Sequence, residues 1–179
     1  MEYSEDDGAK LLKLARETVL KEFDSEIKSD KLVGKQFLQA RGVFVTLTIN
    51  SELRGCIGLP YPTKALGKAV VEAARSAAFS DPRFLPLTKE ELGKVKIEIS
   101  ILTMPQEASV KDIHVGVDGL ICDYIGYKGL LLPQVASEYK WSKIQFLEAL
   151  CRKAGLPNDA WQKANFKLYK FQAQIFSER

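Results

Sequence analysis

Six consecutive residues, Leu53-Arg54-Gly55-Cys56-Ile57-Gly58, place a thiol two positions from a guanidinium, with glycines at Gly55 and Gly58 bracketing the cysteine. In an extended chain residues i and i+2 share a face, so Arg54 and Cys56 should point one way and Leu53 and Ile57 the other. A guanidinium beside a thiol favours the thiolate. At about 7 Å the attraction is about 2.4 kcal/mol at an effective dielectric of 20 but only about 0.6 kcal/mol in bulk water, so activation requires a partly dry site. Glycines without side chains allow a ligand, or another stretch of backbone, to come close. Cys56 is therefore a candidate nucleophile, with Arg54, Gly55 and Gly58 as candidate binding residues. The competing reading is a small buried cysteine whose glycines mark a bulge.

A second group lies in Asp81-Pro82-Arg83-Phe84. Arg83 can supply another cation with Asp81 as its orienting carboxylate, since the planar guanidinium fork suits carboxylates and phosphates. Equally, Asp81 can close a helix end while Arg83 makes a structural pair. His114 is the sole histidine, and Cys56, Cys122 and Cys151 are widely spaced without a Cys-x-x-Cys. Those counts exclude zinc sites built on several histidines or on paired cysteines, so no metal residues are assigned, and a metal would have to rest on carboxylates or on a partner. A Cys–His dyad would need His114 beside Cys56, whereas the simpler reading of His114 is a strand-end residue. Pro133 fits a helix N1 position, leaving Gln134 exposed.

The elements that must position these groups follow from periodicity. Ser4 caps an acidic first turn, and Leu11, Leu12, Leu14, Ala15, Thr18 and Val19 recur at helical spacing to about Phe23. Residues 24–40 read as a connector with at most a short helical turn. Val43, Val45, Leu47 and Ile49 alternate with Phe44, Thr46 and Thr48 as a strand. After the polar break at Asn50-Ser51-Glu52, residues 53–58 should return as the second arm of an antiparallel hairpin. Thr63 can cap an alanine-rich helix from Ala65 to Phe79, stopped by Asp81-Pro82. Thr88-x-x-Glu91 and Ser142-x-x-Gln145 are capping boxes, the second opening a helix that ends at Gly155. Val95, Ile97, Ile99 and Ile101 form a strand, short strands follow at 120–124 and 130–132, and Tyr169 to Ile175 alternate as one last strand. Strands separated by unequal numbers of helices imply an α+β fold with a mixed or mainly antiparallel sheet and flanking helices, read as a single domain over 1–179 with room for a small subdomain.

Composition narrows the function classes. With 179 residues, 46% hydrophobic and 27% charged, the chain is an ordinary globular domain, neither disordered nor repetitive. The surplus of 26 basic over 23 acidic residues is small and dispersed, so nucleic acid is not an expected partner. No apolar run reaches membrane-spanning length and the acidic start lacks a secretory h-region, which leads to the expectation of a cytoplasmic protein without a membrane partner.

The segment Gly42-Val43-Phe44-Val45-Thr46-Leu47 followed by Leu53-Arg54-Gly55-Cys56-Ile57-Gly58 resembles the signature of the AMMECR domain family. The likeness continues through residues 77–84, 97–102, 116–120 and 131–135, Trp141, residues 146–147 and 151–156, Trp161, and Tyr169 with Phe171, spanning 42–171. It implies a compact α+β unit with a smaller subdomain. It also implies a pathway shared with Memo-like and radical S-adenosylmethionine proteins, which would be partners. It names no cofactor, reaction or substrate, so these must be argued from the site. Three readings stand: an enzyme or small-molecule-binding protein holding an anionic group at Arg54, Cys56 and Arg83; a noncatalytic protein-interaction module; and a nucleic-acid-associated protein.

Overall fold

The computed structural model describes residues 3–27 and 34–178. They divide into two compact units, Met1–Leu102 with Gln174–Arg179, and Thr103–Ala173.

In the first unit, Ser4 closes a capping box with Asp7 and opens helix α1 (Glu5–Lys21), which buries Leu11, Leu14, Ala15, Thr18 and Val19. The expected connector contains a 3-10 turn at Lys35–Leu38 that buries Phe37, and residues 28–33 of it lie outside the described residues. Strands β1 (Val43–Ile49) and β2 (Glu52–Leu59) form the expected antiparallel hairpin. Its turn residues Asn50 and Ser51 both adopt positive φ, at 52° and 68°, the backbone that matches the twist of a two-residue hairpin loop. Helix α2 (Leu66–Phe79) and strand β3 (Val95–Leu102) follow. Strand β8 (Ala173–Ser177) completes a four-stranded sheet of order β2-β1-β3-β8, in which β1 pairs antiparallel with both β2 and β3. Val43, Val45 and Leu47 of β1 and Ile97, Ile99 and Ile101 of β3 form one core with α1 and the alanine face of α2.

The second unit holds strands β4 (Gln106–Glu107), β5 (Gly119–Tyr124), β6 (Tyr127–Leu131) and β7 (Lys167–Phe171) in the order β4-β7-β5-β6, with every pair antiparallel. Helix α3 (Pro133–Glu138) starts on its proline, and α4 (Lys143–Lys153) starts on the Ser142/Gln145 capping box. Gly155 takes φ +73° just beyond α4, as a helix-terminating glycine should. Leu120, Phe146, Leu147, Leu150 and Leu168 make a separate core. The chain is thus α+β with two antiparallel sheets.

Four expectations are corrected. Thr63 does not cap α2: the N-cap is Ala65, without a side-chain cap, and the first helical N–H, that of Leu66, bonds the Gln39 carbonyl at 2.9 Å instead. The alternation read as one strand from Tyr169 to Ile175 is two strands in two sheets, broken at Gln172, whose N–H turns to Thr103 Oγ1 at 2.8 Å. His114 sits in a turn rather than at a strand end, its backbone N–H bonding Asp118 at 2.8 Å. Strict alternation along Leu53–Ile57 also fails. The register shifts between Leu47 and Thr48, so that Leu53 faces Thr48 and Arg54 is the extra residue of a bulge.

Candidate functional site

Gly55 explains how close α2 comes to β2, because a Cβ there would collide with the Ala77 carbonyl oxygen of the helix backbone. Gly58 lies opposite Phe44 and its missing side chain is replaced by that ring. Both glycines therefore serve packing, one on each face of β2. Between them Cys56 stands opposite Thr46, half-buried, and the Thr46 hydroxyl donates to its Sγ at 3.3 Å. On β3, Glu98 is paired with Thr46 and accepts from Ser177 Oγ at 2.9 Å, so a polar row crosses the sheet from Cys56 to Ser177.

β2 is an edge strand, and the Cys56 peptide unit is taken up from its open side by the loop after α2. Cys56 N–H donates to Asp81 Oδ2 at 2.9 Å, and Arg83 Nη2 donates to the Cys56 carbonyl at 3.3 Å. Asp81 also accepts from Arg83 through the backbone N–H at 3.1 Å, Nε at 3.0 Å and Nη2 at 2.7 Å. Four donors around a carboxylate only 2% exposed hold its pKa well below the usual range, chiefly through the Arg83 guanidinium, whose own pKa is raised in return. Arg83 is 54% exposed, and its Nη1 makes no hydrogen bond among the described residues.

Arg54 is bound differently. Its Nε and Nη2 grip Glu91 at 2.7 and 2.9 Å, and Nη2 reaches the Pro86 carbonyl at 3.3 Å. Glu91 is the far end of the Thr88 capping box, accepting the Thr88 N–H at 2.9 Å, and the Arg54 contact brings its pKa down to about 2. Phe84 carries both arginines, with guanidinium carbons 5.9 Å (Arg54) and 5.5 Å (Arg83) from its ring centroid. Buried Nη1 of Arg54 has no hydrogen-bond partner among the described residues.

All six expected residues, Arg54, Gly55, Cys56, Gly58, Asp81 and Arg83, thus lie on or against one strand. Arg54 is held by Glu91 and cannot donate its fork to a ligand without giving up that pair. His114 belongs to the second unit and pairs with Asp118 at 3.4 Å. Cys122 and Cys151 are buried, and burial pushes the Cys122 thiol up to about 11 and raises that of Cys151. Among the described residues no group of three or more His, Cys, Asp or Glu could hold a metal. No helix of the described residues is long and apolar enough to cross a membrane. Sequence reasoning missed Thr46, Glu91 and Phe84. Thr46 could have been found by counting the hairpin register back from its turn, whereas nothing in the Glu91 capping box announces Arg54.

Fold and site together define an α+β protein of two units with an arginine-clamped cysteine on an edge strand. The chain belongs to the AMMECR1 family, whose model matches residues 12–176. It is 45% identical to a protein of Methanothermobacter thermautotrophicus, over 98% of this chain and 96% of that one. It is 43% identical to a protein of Aquifex aeolicus, over 97% and 93%. The crystal structure of an uncharacterized protein from Pyrococcus horikoshii superposes with a TM-score of 0.87 at 40% identity, covering 94% of this chain and 90% of that one.

Proposed function

We propose that the protein is a small-molecule-binding enzyme of the cytoplasm in which Arg83 anchors an anionic group and Cys56 attacks the bound molecule. One observation carries the reading. A half-buried cysteine has its peptide unit fixed by Asp81 and Arg83 and its sulfur faced by the Thr46 hydroxyl, while the unused Nη1 of a half-exposed arginine belongs to the same clamp. In the step proposed, the Cys56 thiol gives its proton to solvent, the Thr46 hydroxyl stabilises the thiolate so formed, and Sγ adds to the carbon of a carbonyl group, whose π electron pair moves to its oxygen and takes up a proton from solvent. The electrophile would come from the pathway shared with Memo-like and radical S-adenosylmethionine proteins. Metabolite profiling of a deletion strain would name it.

Brief alkylation of the folded protein near neutral pH, mapped by mass spectrometry, tests the reading. Cys56 should be labelled before Cys122 and Cys151, and iodoacetate should gain on neutral iodoacetamide at Cys56 through Arg83. Arg83→Gln should remove that gain. Labelling of Cys56 only on unfolding would make it a packing residue.

A second reading, a noncatalytic docking module, draws on Leu85, which is 84% exposed although the two residues after it are tied down. Arg54 holds the Pro86 carbonyl, and the Leu87 N–H bonds the Ala78 carbonyl at 2.8 Å. An exposed leucine held in place by its neighbours offers a partner apolar surface at little ordering cost. An inert Cys56 together with a partner lost on Leu85→Asp would favour it.

A further inference from the structure

A second concavity in the first unit lies away from the clamp residues. It is a cavity of about 730 Å³ between α1, the 3-10 turn at Lys35–Leu38 and the outer side of α2, floored by Leu14 and Phe37 and walled by Leu38 and Val71. Its volume falls in the range of small-molecule sites. Leu38 is 73% exposed, an apolar surface that water covers at a cost.

The charges around it are not balanced. Glu72 is taken by Lys64, and Arg75 is taken by Glu22 at 3.1 Å. Lys68, also lining the cavity, has no ion-pair or hydrogen-bond partner among the described residues. An apolar trough with one uncommitted ammonium is complementary to a molecule with an apolar chain and a single anionic head.

We propose that this cavity binds a monomeric fatty-acid-like amphiphile, its chain along Leu38 and Val71 and its carboxylate at Lys68. The site is independent of the Cys56 reading, because it shares no residue with the clamp.

Titration with octanoate, decanoate and dodecanoate below their micellar concentrations, followed by calorimetry, tests it. Each added methylene should tighten binding by up to about fourfold until the trough is filled. Dodecylamine, with the same chain and the opposite head, should bind more weakly than dodecanoate. Lys68→Met should weaken dodecanoate by up to about fivefold, as expected for an exposed charge contact, and leave dodecylamine no weaker. Val71→Asp should abolish binding, and Leu38→Asp, at a still more exposed position, does the same work should the helix variant fail to fold. Absence of saturable dodecanoate binding below about 1 mM, as when another part of this chain already fills the trough, would overturn the proposal. Binding indifferent to Leu38→Asp would overturn it as well.

Discussion

Two arginine–carboxylate pairs flank the same strand and share one phenylalanine, yet they distribute burial in opposite ways. In the Arg83–Asp81 pair the carboxylate is sealed and the guanidinium is half in solvent. In the Arg54–Glu91 pair the guanidinium is the more covered member, at 15% exposure against 25% for its carboxylate. Removing a partner is costly in proportion to how badly the charge left behind is solvated. The difference therefore teaches which side chain of each pair the fold depends on, and which one has a face left over for a ligand.

Arg83→Ala should be the most damaging change, about 3–5 kcal/mol in a urea titration, because it strands the buried Asp81 charge. Asp81→Ala should cost less, since the Arg83 left behind can turn into water. The opposite ranking would break the comparison at its root. Next comes Arg54→Ala, at about 1.5–3 kcal/mol for charge-assisted hydrogen bonds. The sequence alone would suggest the 0–1 kcal/mol of an exposed ion, so this measurement separates a structural arginine from a ligand-binding one.

Acid should then take the two pairs apart in order. Glu91 has its folded pKa held below the unfolded value of about 4.5, so its contribution is complete above about pH 4.5 and is lost as the pH falls toward about 2. Asp81 is depressed further and should hold on to still lower pH. Urea midpoints measured at stepped pH should fall more gently between 4.5 and 2 in Glu91→Gln than in the parent, and equal slopes would assign the acid sensitivity elsewhere. The smallest effect is kinetic: Thr46→Val should slow alkylation of Cys56 by a few-fold at unchanged stability, since it removes the hydroxyl donor and keeps the shape.

The sequence was legible where one element makes its own pattern. Alternation in Val43–Ile49 and Val95–Leu102, the Ser4 cap, the Ser142 capping box, and Pro133 at a helix start are local statements, and local physics decided them. It was illegible where backbone groups choose among distant partners. Leu66 found its cap in Gln39, Gln172 broke a strand by bonding Thr103, and a single inserted residue at Arg54 overrode the two-residue period. The candidate site divides the same way. Its residue types stand in two short motifs, but that Arg54 is used up by Glu91, and that Asp81 grips the Cys56 peptide, are facts of tertiary contact.

The second unit interrupts the first between β3 and β8, and this has a consequence for the order in which the molecule is built. Gln174 exchanges hydrogen bonds with Tyr3, its Oε1 accepting at 3.3 Å and its Nε2 donating at 2.7 Å. Glu178 grips Arg16 and also accepts the Ile97 N–H at 2.9 Å. On the ribosome, residues 103–173 emerge as one uninterrupted stretch that can fold at once, while the earlier residues wait with a three-stranded sheet and an unfastened first helix. Synthesis thus finishes the inserted unit before its host, and α1 is locked by residues translated after that unit.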